Sequence, residues 1–174
     1  MTTGRSQVAD IVGTLGRTPG ALRWALVQIL LAPDKFKGTA TAPEAAEALL
    51  QAGARVDARD TAYGETALHK AALIGESELA RVLISHGADV NARSKAGSTP
   101  LHIAVSEDRL DTVRLLIAAK ADVNAKSNVG LSSLHYAAGR WGAELTELLI
   151  DAGASVAATD VTGRTPLHIA AARD

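Results

Sequence analysis

Four histidines, His69, His102, His135 and His168, occupy one position of a pattern that returns every 33 residues. Imidazole is the commonest metal ligand, so a metal centre is the first chemistry to test. The spacing argues against it. One histidine per packed helix puts neighbouring imidazoles roughly 8–10 Å apart, whereas a metal–nitrogen bond is only about 2.0–2.1 Å. The reading that fits is an imidazole bonding to backbone within the adjoining loop, and His86 is read as a surface residue. The carboxylate pairs Glu76/Glu78 and Glu107/Asp108 fall in or beside helix turns, where carboxylates are solvated or offset the helix dipole. There is no cysteine, hence no thiol nucleophile or thiolate site. No nucleophile elbow, zinc-helix, Walker-type or dinucleotide motif occurs. The sequence therefore predicts no catalytic residue, no metal and no cofactor.

The elements that carry the histidines follow from the same period. Gly64, Gly97, Gly130 and Gly163 open successive copies, each followed by a T-P-L-H-x-A core or a variant of it. Thr66, Thr99 and Thr165 cap a first helix, with Ser132 in the third copy, and Pro100 and Pro166 take the first turn, where a missing N–H costs nothing. Leu68, Leu101, Leu134 and Leu167 are expected to point inward, with Ala71, Ala104, Ala137 and Ala170 allowing close helix approach. A second helix supplies Leu79, Val82 and Leu83, then Val113, Leu115 and Leu116, then Leu145, Leu148 and Leu149. No single copy buries enough of these for independent stability, so neighbour interfaces must supply it. The departures mark weak points. Asp108 stands where Gly75 makes the inter-helix turn, Lys120 stands at a C-cap glycine position, and Trp141 followed by Gly142 shifts the third turn by one residue. The first loop carries one extra residue within 60–63.

Period and motif together resemble the ankyrin-repeat family from about residue 43 to the end. The resemblance implies an all-α fold: an ankyrin-repeat solenoid of stacked antiparallel helix pairs with projecting hairpin loops. It divides the chain into an N-terminal segment, 1–42, and a repeat domain, 43–174. The latter comprises a partial repeat 43–59, full repeats 60–93, 94–126 and 127–159, and a truncated repeat 160–174. It also implies a protein-interaction module, binding another protein through the finger tips and the concave face of the first helices. Carried over by position, the partner-binding residues are Tyr63, Glu65, Leu73, Ile74, Lys95, Ser98, Glu107, Asn128, Leu131, Arg140, Trp141 and Arg164. Trp141 has a second reading, folding back over its own turn or the last repeat. The half repeat at the end is expected to fray or to dock as a makeshift cap, and its uncapped face invites self-association. A truncated piece of a longer repeat protein is a further reading.

In the first forty residues, Thr18 and Pro19 signal a helix over 19–32, and a basic loop follows. Residues 26–51, with Pro33-Asp34-Lys35-Phe36-Lys37-Gly38 at their centre, resemble the opening of bacterial-type glycerate kinases. That resemblance implies a strand over 26–31 and a phosphotransferase remnant at 32–51, with Lys35 and Lys37 lining an anionic pocket. The same residues also read as a solvated basic loop, or as a fragment acquired by rearrangement, and the helix 43–51 is explained equally well as a second repeat helix. Eighteen Lys and Arg against 19 Asp and Glu leave a net charge of −1. That balance gives no electrostatic footprint for nucleic acid. No run approaches the roughly 18 apolar residues of a membrane span, and the expected location is cytoplasmic.

Overall fold

The computed structural model describes residues 41–139 and 143–172. The expected helix over 19–32, the loop lysines Lys35 and Lys37, and Arg140, Trp141 and Gly142 lie outside the described residues. Eight helices occur in the described part: α1 (Ala42–Gln51), α2 (Ala67–Ile74), α3 (Ser77–Ser85), α4 (Pro100–Ser106), α5 (Leu110–Ala118), α6 (Ser133–Ala138), α7 (Ala143–Asp151) and α8 (Pro166–Ala171), with no strand among these residues.

Each first helix starts on the same device. Thr66, Thr99, Ser132 and Thr165 are extended N-caps, each in a capping box with the histidine three residues on. These boxes satisfy two of the orphan donors of each helix start. Helix α1 uses the ordinary form of the box, with Thr41 and Glu44. It begins at Ala42, one residue before the expected start, because Thr41 is the cap. Its buried face is Ala45, Ala46 and Leu49.

Helices pair as α2–α3, α4–α5 and α6–α7, and the pairs stack. The first helices form one row, α2–α4–α6–α8, while α1 packs on α3 and α3 on α5 in a second row. So α1 sits in the row of second helices. Between the rows lie Leu68, Leu79, Leu83, Leu101, Val113, Leu116, Leu145 and Leu149, at most 2% exposed, with Ala71, Ala104 and Ala137 fully buried between first helices. Val82, Leu115 and Leu148 pack at the edge of this core.

Leu167 corrects the sequence reading. Leu68, Leu101 and Leu134 are 0–2% exposed, but Leu167 in the same register is 76% exposed. The first three are roofed by the second helix of their own pair. Helix α8 packs on α6 and has no second helix above it among the described residues.

The inter-helix turns show what the missing glycines cost. Gly75 adopts φ 81°, and an added Cβ there would lie 2.6 Å from Arg109 Cδ. Asp108 and Lys120 reach the same left-handed region, at φ 57° and 68°, without being glycine. A non-glycine residue held there is strained by roughly 1–2 kcal/mol, partly offset by its smaller loss of backbone entropy on folding. Lys120→Gly is therefore expected to raise the unfolding free energy by about 0.5–1 kcal/mol, read as a higher urea midpoint with an unchanged m-value. An unchanged or lower midpoint would show that this turn carries no strain.

Candidate functional site

Between one pair and the next, the chain leaves the helices as a short finger. Each finger is closed by a backbone bond across its base: Asp60 N–H to Glu65 O, Ser94 to Ser98, Ser127 to Leu131 and Asp160 to Arg164, all 2.8–2.9 Å. In the first and last fingers an aspartate organises the tip. Asp60 Oδ1 accepts from Tyr63 N–H three residues on (2.7 Å), and Asp160 Oδ1 from Thr162 N–H two residues on (2.8 Å). The extra residue of the first finger is absorbed in this turn. Burial alone would raise both carboxyls. For Asp60, bonds from the Tyr63 and Glu65 N–H groups and from Lys70 outweigh burial and lower the pKa. For Asp160, the Thr162 hydroxyl, the Arg164 and Thr162 N–H groups and the Arg164 guanidinium hold the carboxyl well below the usual range.

The fingers are stitched side by side. Lys95 N–H donates to Tyr63 O, Asn128 N–H to Ala96 O and Val161 N–H to Val129 O. Side chains reinforce this in two directions. At the base, Arg59 donates to Arg93 O, Arg93 to Lys126 O and Lys126 to Thr159 O, each reaching forward to the next finger. Nearer the tip, Lys95 donates to Thr61 O and Ala62 O, and Asn128 to Lys95 O, each reaching back. Asp57, Asn91 and Asn124 accept the N–H of Asp89, Asp122 and Ser155. Sequence reasoning missed this scaffold, although the signal is present: an Asp or Asn followed two residues later by Arg or Lys recurs at Asp57/Arg59, Asn91/Arg93 and Asn124/Lys126. The fingers approach closely, and a Cβ on Gly97 would lie 2.3 Å from Asn128 Oδ1.

The histidines tie fingers to helices. The N–H of Thr66, Thr99 and Ser132 donates to Nδ1 of His69, His102 and His135 at 3.0–3.1 Å. A backbone N–H can only donate, so Nδ1 is unprotonated and the ring proton sits on Nε2. From there it reaches Ser98 O, Ala125 O and Arg164 O, at 3.0–3.1 Å, in the loop that follows. These are the backbone bonds expected from the sequence. Burial pushes His102 down to about 4 and also lowers His69.

The expected contact residues divide among several places. Tyr63, Glu65, Lys95 and Ser98 line one open groove of about 350 Å³, with Ile103 at its floor. Leu131 and Arg164 line a second of about 360 Å³, with Tyr136 and Ile169. Leu73 and Ile74, about 40% exposed, Glu107 and Asn128 line neither groove. Several are already engaged: Glu65 and Asp60 pair with Lys70, and Arg164 pairs with Asp160 at 2.8 Å. Glu65 and Asp60 outweigh the burial that would lower the Lys70 pKa, raising it instead. Tyr63, 65% exposed, has its ring centroid 5.5 Å from the Lys70 ammonium, a cation–π contact.

Ile103, Tyr136 and Ile169 were also missed. They share with Lys70 the x slot of the T-P-L-H-x-A core, and all four are half-buried along the row of first helices. The slot's variability was the available signal, since packing dictates the residues on either side of it.

Folded His102 titrates near 4, whereas an unfolded histidine titrates near 6.5. Between those values the unfolded chain binds a proton that the folded chain does not. Stability is therefore full above about pH 6.5 and falls towards pH 4, by on the order of 3 kcal/mol from His102. Urea unfolding at pH 7.5 and 4.5 is expected to show this loss. His102→Gln keeps a capping group without the titration and should reduce the loss. An equal loss in that variant would remove His102 as its source.

A family model described as ankyrin repeats in three copies matches residues 37–127, and one described as ankyrin repeat matches residues 129–161. No curated protein matches the chain.

Proposed function

As the chain belongs to the ankyrin-repeat family, we propose that it is a non-enzymatic interaction module. It binds a partner protein through its finger tips and the concave face of its first helices. One observation carries this reading: an aromatic ring and a row of half-buried apolar side chains stand open on a stiff frame. Tyr63 is 65% exposed, with its ring against the Lys70 ammonium and beside a finger stitched at tip and base. Aromatic side chains at the edge of a groove are the usual anchors of protein interfaces, and preorganisation lowers the entropic cost of binding. Of the residues expected at the contact, Tyr63, Leu131, Leu73 and Ile74 supply apolar surface. Glu65, Lys95, Ser98, Asn128 and Arg164 hold that surface in place and contribute polar rim contacts. Glu107, Arg140 and Trp141 belong to the same proposed surface by position. We place the protein in the cytoplasm, acting without cofactor. No helix of the described residues is long and apolar enough to cross a membrane.

The test is affinity capture with mass spectrometry, run on the protein and on Tyr63→Ala. Removing an exposed ring is expected to change folding stability by no more than about 0.5 kcal/mol while lowering partner capture at least tenfold. Capture that survives unchanged in the variant would take Tyr63 out of the interface.

Self-association through the last repeat is a second reading, favoured by the 76% exposure of Leu167. It predicts a molar mass in light scattering that rises with concentration and returns to 17.9 kDa in Leu167→Lys. A constant monomer mass would end it.

A further inference from the structure

Leu167, Val156 and Ile150 stand 76%, 60% and 44% exposed, on α8, on the loop before it and on α7. The same positions in the preceding unit are covered: Leu134 is 2% exposed and Val123 9%, and Ile117 packs on the core. The earlier units also show which shape does the covering. The leucine of each earlier first helix lies under a second helix of nine residues, α3, α5 or α7. No helix holds that place over α8 among the described residues. His168 points the same way. Thr165 N–H donates to its Nδ1 at 3.2 Å, which leaves the ring proton on Nε2. In the three earlier units that proton reaches a loop carbonyl beyond the second helix, whereas His168 is exposed and makes no such bond among the described residues. The open site is thus shaped for a helix and the backbone that follows it.

Charge selects the source of that helix. Along the row of second helices, Arg114 of α5 reaches forward to Glu144 in the first turn of α7, at 3.1 Å. The residue of α7 in the register of Arg114 is Glu147, so α7 offers the next helix a carboxylate where α5 offers a cation. Asp151 stands beyond it, and both are exposed with no cation on them among the described residues. A second copy of this chain answers that charge poorly. Stacked head to tail, it brings α1 to the site, and Glu44 lies as far before Gly53 as Glu144 lies before Gly153. Glu44 would then meet Glu147. Stacked face to face, it brings another α7, which carries Glu144, Glu147 and Asp151 and no base. Opposing like charges select against both arrangements.

We propose that this end of the array is a second interaction surface, one that takes an amphipathic helix of another protein. The helix lays an aliphatic face over Leu167 and presents a lysine or arginine of its first turn to Glu147. Recognition is of the helix-in-groove kind. This surface goes beyond the finger and first-helix contact proposed above and does not depend on it.

Fluorescence anisotropy on the full chain tests it, with two lactam-bridged peptides, the bridge keeping a short helix folded. Both carry the same leucine stripe at helical spacing, and they differ only in having lysines or glutamates in the first turn. The lysine peptide is expected to bind about tenfold tighter at low salt, with the gap narrowing at high salt. Leu167→Ser should weaken it several-fold. The paired changes Glu147→Lys and Asp151→Lys should reverse the preference between the peptides. These three residues are exposed, and circular dichroism checks that the variants keep the fold. Tyr63→Ala should leave the affinity unchanged, so this surface and the finger contact fail separately. Equal binding by the two peptides, a preference that survives the charge reversal, or indifference to Leu167→Ser would overturn the proposal. So would a light-scattering mass that rises with concentration and falls back in Leu167→Ser, since the occupant would then be a second copy.

Discussion

At His69 and His135 the interface between neighbouring repeats turns on an imidazole whose two nitrogens serve different repeats, and at His102 the second bond reaches Ala125 at the end of its own repeat. One accepts the N–H of the helix cap in its own unit, and the other donates to a carbonyl in the loop that follows. Because the first bond fixes the tautomer, the second is fixed too. The cap of one helix and the position of the next finger are therefore set by one side chain with no freedom left. Glutamate, as at Glu44 in α1, performs the capping half alone. It has no N–H to pass onward, which is why the coupling needs histidine.

This coupling explains how so small a core holds. Apart from leucine the interior is largely alanine and valine, and aromatic residues make up only 3% of the chain. Small side chains let first helices approach closely, but each contributes little burial. The fingers compensate by linking units through backbone and side-chain bonds that no single unit can make. Stability in such an array belongs to the interfaces more than to the units.

Much of this was legible in the residues. The 33-residue period, the cap threonines, the inward leucines of the first three copies and the strained positions Asp108 and Lys120 could all be read from spacing and turn chemistry. What escaped has a common cause. The base clasps and the x slot of the T-P-L-H-x-A core involve residues that are unremarkable locally and acquire meaning only across a repeat boundary. Leu167 failed for the complementary reason. Its burial depends on a neighbouring helix, and sequence periodicity carries a position forward even where no such helix stands among the described residues.

The clasps have an implication for how such a protein changes over generations. Arg93 donates forward from the same unit whose carbonyl receives Arg59, so each 33-residue block carries both a clasp and a catch. A block duplicated or deleted in register brings or removes a matched set, and the seam closes as before. Array length can thus drift in whole steps without any interface being reinvented. Ala157 and Thr159, standing where the earlier units place Asn124 and Lys126, break that equivalence, so a block copied from this last unit would arrive unable to hold its successor.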